Sequence, residues 1–530
     1  MKNPWQGVVY ALPIALLTLI PLCVVMASWA YPQHEIWAHL GEYVLPDVLW
    51  NTTLLIFGVG AGVILLGVPL AWLVAMCEFP GRRFFSWSLI LPLAMPAYVL
   101  AFVLVGFLDF TGPVQTLIRD MSGDSSWFPR IRSSGGVVLA MSLAFYPYVF
   151  LLMRNAFETQ GQRALEAAQM LGLSRVQSFW RVALPMSRPW LIGGVSLVLM
   201  ETLADFGAVS IFNFDTVTTT IYKAWFSMFN LVAASQLAST LVLFVLILAL
   251  IEKKARGVRR YQVKAGSHQR IVLSKWQAGL AFLFCSTVLL IAFLIPVAQL
   301  LFWAADAWAE DLDARYFSFV WHSILLATLA SLLVCGFALL LGLIKRRYPN
   351  KRTRLIVQLA GLGYAIPGTV LAVGVFVPIA WLDNQLIEIM ATFSMASSGV
   401  LKGSIAVMLL ALSARFLVVG FSPIDAALER ITPHHEDAAR SLGLNAGAVL
   451  RRLHLPLASG GIMTGLLLVF VDVIQEMPIT LMTRPFGWDT LAVRVFEMTS
   501  EGMWSRAALP GLLIIVAGLL PVLLLARKSD

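Results

Sequence analysis

The sequence predicts an all-α membrane protein of about twelve transmembrane helices, built as two parallel six-helix repeats. Three observations carry that prediction. Hydrophobic residues make up 59% of the 530 and charged residues 13%, with a mean hydropathy of +0.82, so there is too little polar surface to cover a water-soluble core. Apolar stretches of roughly 20 residues, long enough to cross the hydrocarbon layer as helix, recur throughout the chain between short polar segments. Finally, residues 166–185 (EAAQMLGLSRVQSFWRVALP) and 437–456 (DAARSLGLNAGAVLRRLHLP) superpose without a gap at a constant offset of 271.

The spans are expected at 7–30, 50–76, 86–108, 136–153, 188–211, 234–251, 276–304, 321–344, 355–381, 401–421, 459–481 and 506–526. The first is too long and lacks the small-residue cleavage site of a secretory signal, so it reads as a retained helix. The offset extends beyond the repeated motif. Asn51-Thr52 match His322-Ser323, Pro96 matches Pro367 and Asp205 matches Glu476; after Gly207 and Pro478 the register slips by three residues, pairing Asp215-Thr216 with Asp489-Thr490. Six spans separate equivalent positions, and an even number returns the chain to the same side of the membrane. The halves are therefore parallel, related by a pseudo-two-fold axis along the membrane normal. The expected organisation is a first half at 1–251 with a polar loop at 154–187, a basic linker at 252–275 containing Gly257, Gly266 and Ser267, and a second half at 276–530 with a polar loop at 422–458.

Lys and Arg resist translocation and accumulate on the cytoplasmic side. With the N-terminus inside, most of the 38 Lys and Arg fall on inside segments, including the clusters 253–275 and 345–354, while the acidic stretch 304–315 faces out. Both polar loops and both termini are then cytoplasmic. The net charge of +9 reflects this topology and membrane lipid contact; the short loops offer no aromatic-interleaved basic surface for nucleic acid. Cys23, Cys77, Cys285 and Cys335 show no CxxC or Cys/His spacing and read as small core residues. Trp303, Trp308, Trp321 and Trp381 lie near expected outer boundaries, as an interfacial belt would.

Within each repeated motif, strong helix formers precede Gly172 or Gly443, a residue suited to the left-handed turn that ends a helix. A second helix, 174–183 or 445–454, is expected to run to Leu184-Pro185 or Leu455-Pro456. The small pairs Ala167-Ala168 and Ala438-Ala439 allow another backbone close approach, as a helix seated in a partner's groove requires. A single copy would read as an interfacial helix pair on the headgroups, but two gap-free copies on one side favour a docking role.

The pattern EAA, three residues, Gly, nine residues, Ile, one residue, Leu-Pro resembles the cytoplasmic coupling loop of binding-protein-dependent ABC importer permeases. Here Val182 and Leu453 stand at the Ile position, and Asp437 stands where the first copy has Glu166. The resemblance covers essentially the whole chain and implies two fused copies of the MetI-like fold in a bacterial inner membrane. It implies that the loops, through Glu166, Ala167, Ala168, Gly172, Leu184, Pro185, Asp437, Ala438, Ala439, Gly443, Leu455 and Pro456, dock two copies of an ABC ATPase, with a soluble binding protein delivering substrate outside. The stretches Glu201–Phe212 (ETLADFGAVSIF) and Asp472–Glu497 (DVIQEMPITLMTRPFGWDTLAVRVFE) are similar to segments of fused ferric iron permeases. Permeases for thiamine, phosphonates and polyamines share parts of these patterns.

Four carboxylates fall within the fifth and eleventh spans, Glu201 with Asp205 and Asp472 with Glu476, each pair spaced i, i+4 and so expected on one helical face. Charge at that depth is costly unless it meets a cavity or a partner, which makes them candidates for the translocation pathway of a hard cation. The alternative is that they cap helices, bond backbone groups or pair with bases such as Arg484. No resident metal site is assigned. His434-His435, beside Glu436, read as solvated, and Asp215 and Asp489 suit a surface receiving a binding protein, the lining of a gate or simple turns. No Lys follows a Gly, so there is no GK[ST] phosphate loop. The chain is expected to be a transport subunit rather than an enzyme, binding no cofactor of its own while a partner ATPase uses ATP and Mg. An ion-coupled secondary transporter of twelve spans is the rival class, though it would have no use for paired docking loops.

Overall fold

The structure is a computed structural model that describes residues 5–161, 168, 170–256, 270–311, 314–393 and 401–529. Those residues are helical almost throughout. The strands are two-residue segments, Cys77–Glu78 and Ile271–Val272, paired in parallel. Among the described residues, eleven helices are long and apolar enough to cross a membrane, or twelve when the bent pair Phe179–Met186 and Arg188–Ala204 counts as one span.

The expected spans 86–108 and 355–381 are interrupted at equivalent places. Residues 86–108 divide into Arg82–Ser88, the 3-10 turn Leu91–Ala94 and Ala97–Leu108; residues 355–381 divide into Lys351–Ala360, the 3-10 turn Gly361–Ala365 and Gly368–Thr392. The cause is Pro96 and its repeat equivalent Pro367. Each takes an extended ψ (148° and 143°) and starts a fresh helix from the N-cap position.

Elsewhere prolines sit inside continuing helices. Of the five π turns among the described residues, four end two residues before a proline: Leu40–Val44 before Pro46, Phe179–Ala183 before Pro185, Leu290–Leu294 before Pro296 and Leu450–His454 before Pro456; the fifth, Phe157–Gly161, does not. Proline lacks the N–H that would bond the carbonyl four residues back, and its ring collides with that carbonyl. A locally widened turn relieves both problems. The second helix of each polar loop, expected to run to Leu-Pro, continues past it through the π turn, to Met186 in the first copy and to Gln475 in the second.

The helices form two compact units that cross the sequence repeat. One unit contains residues 1–37, 221–242 and 312–494; the other contains 38–220, 243–311 and 495–530. Each thus holds the central spans of one half together with outer spans contributed by the other. In the unit built on 38–220, Gly58, Gly62 and Gly67 of Leu45–Met76 face Val138, Ser142 and Val149 of Ser134–Ala156, and an added Cβ would come within 2.8, 2.1 and 2.9 Å of those side chains. Small residues here let two helices approach closely, which substitutes for the hydrophobic drive that lipid does not provide. All four cysteines are free thiols. Trp321 and Trp381 are exposed, as an aromatic belt requires, whereas Trp303 lies over Gly106 and stacks on Phe102.

Candidate functional site

The second polar loop opens with the helix Pro433–Ser441, where Thr432 and His435 form a reciprocal capping box. It closes at Gly443, whose φ is +80°. The Gly443 N–H donates to the Arg440 carbonyl (2.9 Å) and the Leu444 N–H to the Ala439 carbonyl (3.2 Å), a Schellman turn. The first loop makes the same turn: Gly172 has φ +87°, and the Leu173 N–H donates to the Ala168 carbonyl at 3.1 Å. Glu166 and Ala167 lie outside the described residues. Ser174 and Asn445 then cap the following turns, accepting from the N–H of Gln177 (3.3 Å) and Ala448 (2.9 Å).

The alanines divide their duties. Ala168 and Ala439 are buried, while Asp437 and Ala438 are exposed. Beside them Met170, Leu171 and Leu442 are 90%, 85% and 82% exposed. These apolar side chains were not singled out from sequence, although their place immediately before a helix-ending Gly was the available signal. Bare apolar tips beside a small-residue face are suited to burial by a partner.

The loops differ where they meet the next span. In the second, residues 450–475 continue as one helix through Leu455 and Pro456. In the first, the chain bends by 63° between Phe179–Met186, which contains Leu184 and Pro185, and Arg188–Ala204. Pro189 explains the break. It follows Pro185 by four residues, so the Pro185 carbonyl loses the helical donor four residues on and accepts from the Ser187 N–H instead, while Gly460 occupies the equivalent place in the second copy.

The second loop also carries a polar cluster. Glu436 accepts hydrogen bonds from Arg346 Nε and from His454 Nε2 (2.9 Å), with Arg440 Nη2 at 3.8 Å. Burial acts to raise the Glu436 pKa, but the bonds from Arg346 and His454 outweigh it and hold the carboxyl below its ordinary range. It is therefore ionised at neutral pH. Of the neighbouring histidines, His435 serves the cap and His434 is exposed.

The four membrane acids divide into two kinds. The helix carrying Glu201 ends at Ala204, and Asp205 turns its Oδ1 to the N–H groups of Ala208 (2.9 Å) and Val209 (3.3 Å), capping the short helix Gly207–Ile211. Its own carbonyl accepts from Thr218 Oγ1 at 2.6 Å. Glu476 does the same after the helix Leu455–Gln475: its carboxylate accepts from the N–H groups of Ile479 (3.1 Å) and Thr480 (3.3 Å), capping Pro478–Thr483. Glu201 and Asp472 remain one turn inside their helices and are half-buried. The i, i+4 pairs thus do not form one uninterrupted helical face, because each helix ends just before its second acid.

At the far ends of the second and eighth spans the repeat recurs in hydrogen bonds. Asn51 Nδ2 donates to the Asp215 carbonyl (3.0 Å), and His322 Nδ1 lies 3.2 Å from the Asp489 carbonyl, so both aspartates serve as turn anchors. The Asp489 carboxylate also pairs with Arg484, and Trp488 stacks on His322 at 4.0 Å.

Two sets of residues, 67–252 and 336–528, match the family described as the binding-protein-dependent transport system inner membrane component. The chain belongs to this family. The permease is 27% identical to the Fe(3+)-transport system permease protein FbpB 2 of Haemophilus influenzae over 92% of the chain and 90% of that protein. It is 22% identical to the Ferric transport system permease protein FbpB of Actinobacillus pleuropneumoniae, over 81% of the chain and 63% of that protein. The Molybdenum transport system permease protein ModB of Escherichia coli is 29% identical but covers 39% of the chain, with 92% of its own length aligned. The permease is therefore a multi-pass inner-membrane transport component carrying the family's domain twice in one chain.

Proposed function

We propose that this permease is the membrane-spanning subunit of an ATP-driven importer for ferric iron. The observation that carries the reading is the pair of loops turned by left-handed glycines, Gly172 and Gly443, under matching Leu173–Ala168 and Leu444–Ala439 backbone bonds, each presenting exposed apolar side chains, in a chain whose similarity to a ferric permease runs through both halves. Two copies of an ABC ATPase dock on these loops from the cytoplasm, through Glu166, Ala167, Ala168, Gly172, Leu184 and Pro185 on one and Asp437, Ala438, Ala439, Gly443, Leu455 and Pro456 on the other. The basic clusters hold both termini and the 252–275 linker on that side. A soluble binding protein delivers cargo from outside. ATP and Mg are used by the partner ATPase, and the permease needs no cofactor of its own.

Closure of the ATPase dimer moves both loops, and through Arg188–Ala204 and Leu455–Gln475 moves the helix ends that carry the membrane acids. Asp205 and Glu476 act as framework through their caps, and the half-buried Glu201 and Asp472 are the carboxylates that meet a hard cation in transit. Relatives named for ferric iron align with most of the chain and through both halves, which supports iron as cargo. The test is uptake of labelled ferric iron and of molybdate by an uptake-deficient bacterium expressing the permease with its neighbouring ATPase and binding protein. Iron accumulation is expected; molybdate accumulation without iron would overturn the cargo assignment.

A further inference from the structure

The two loops share a backbone and differ in what holds them. Arg346, at the end of Ala314–Arg347, donates Nε to Glu436 and Nη1 to the Leu428 carbonyl (2.8 Å) near the end of Ile405–Glu429. His454, in the π turn leading to the next span, donates to the same Glu436 oxygen at 2.9 Å. One carboxylate thus joins the loop helix Pro433–Ser441 to two spans, with the Arg346 guanidinium bonded to a third. The three side chains are largely shielded, being 21%, 20% and 10% exposed for Arg346, Glu436 and His454. Next to them Lys345 bridges Asp425 and Glu429 (3.1 Å), beside a cleft of about 410 Å³.

The offset of 271 puts Ala75, Leu165 and Ala183 at the positions of Arg346, Glu436 and His454, so none of the three has a charged residue at its repeat-equivalent position. Among the described residues, that half has an aromatic cluster beside its loop. Trp72 meets Phe179 edge-on at 4.7 Å and Phe157 at 5.2 Å, with Phe157 and Phe179 6.4 Å apart. The equivalent residues in the second half are Leu343, Leu428 and Leu450. Aromatic packing is insensitive to salt and tolerates small sliding, whereas charge-assisted bonds fix geometry and weaken when either partner is neutralised.

We infer that Arg346, Glu436 and His454 are positioning residues for coupling: they latch the second loop to the span ends so that its displacement by the ATPase is transmitted without slack, while the first loop transmits through the Trp72–Phe157–Phe179 cluster. The latch rests on the importer reading above, and the experiment separates the two. The full complex of permease, ATPase and binding protein, reconstituted in liposomes, is assayed for ferric iron taken up per ATP hydrolysed, with assembly verified by co-elution of the ATPase. Glu436→Gln keeps the shape and removes the charge. It is expected to leave ATP hydrolysis in place while lowering iron per ATP roughly threefold or more, the scale of losing a charge-assisted hydrogen bond in a mechanical linkage. Arg346→Lys retains the charge and is expected to stay closer to the unaltered protein than Arg346→Ala. In the permease alone, hydrogen exchange of the amides of residues 437–441 is expected to quicken in Glu436→Gln, with residues 170–174 unaffected. Unchanged iron per ATP in Glu436→Gln, or equal impairment by Arg346→Lys and Arg346→Ala, overturns the latch. Absence of ATP-dependent uptake in the unaltered complex would instead overturn the importer reading.

Discussion

Asp205 and Glu476 occupy the same place in the two repeats and do the same job with different side chains. The shorter acid reaches the second and third N–H groups of a helix starting at Gly207, and the longer one reaches those of a helix starting at Pro478. A cap needs an acceptor oxygen rather than a charge. Asp205→Asn and Glu476→Gln are therefore expected to transport nearly as well as the unaltered permease, while Asp205→Ala and Glu476→Ala lose about 1 kcal/mol of local stability and transport with it. Glu201→Gln and Asp472→Asn test the other role: loss of uptake at normal expression is expected when either charge goes, and unchanged uptake would remove these acids from the pathway. The depth and pairing of all four acids were legible in the sequence. The helix ends between them were not, because in an apolar run the Gly207 and Pro478 that start the new helices read equally well as tolerated members of one continuous span.

At the scale of elements, the turn at each polar loop was legible because glycine at the end of a polar helix has a specific conformational use. Gly172 and Gly443 both have positive φ, and an added Cβ would meet nothing within 4 Å, so replacement by Ala costs only the left-handed backbone, about 1–2 kcal/mol. The two loops continue differently, one through a 63° bend at Pro189 and one through an unbroken helix, so equal backbone strain falls on unequal levers. Gly172→Ala and Gly443→Ala are expected to impair uptake to different degrees, measured as initial rates at matched expression; equal losses would count against the asymmetry. What the sequence hid at this scale was the π turn before each Leu-Pro. Proline is a helix breaker by its local chemistry, and only the surrounding helix, packed on both sides of it, makes widening cheaper than stopping.

Across the whole molecule, the fixed offset and the count of six spans made the parallel repeat legible without any structure. The exchange of outer spans was not. Apolar helices of similar hydropathy carry no mark of which neighbour they pack against, and lipid is as good a solvent for them as another helix until small residues and polar bonds choose. Trp29 and Trp37 illustrate the choice: their indole N–H groups bond Ser239 (2.6 Å) and Gln236 (2.5 Å), tying the first span's outer end to the helix Leu231–Arg256. Because residues 1–37 and 221–242 pack in the unit of 312–494, the chain divided at the 252–275 linker is expected to yield fragments that are stable together and degraded when expressed singly. Accumulation of either fragment alone at the level of the pair would contradict this.

The central claim is that the paired loops make this permease an ATP-driven importer rather than a self-sufficient carrier. The most direct measurement is ferric iron uptake into proteoliposomes holding the permease and its ATPase, with binding protein outside and ATP either enclosed or omitted, in the absence of any ion gradient. Uptake that requires enclosed ATP and is abolished when Gly172 and Gly443 are both replaced is the predicted result. Uptake that proceeds without ATP and follows an imposed proton or sodium gradient would contradict the account.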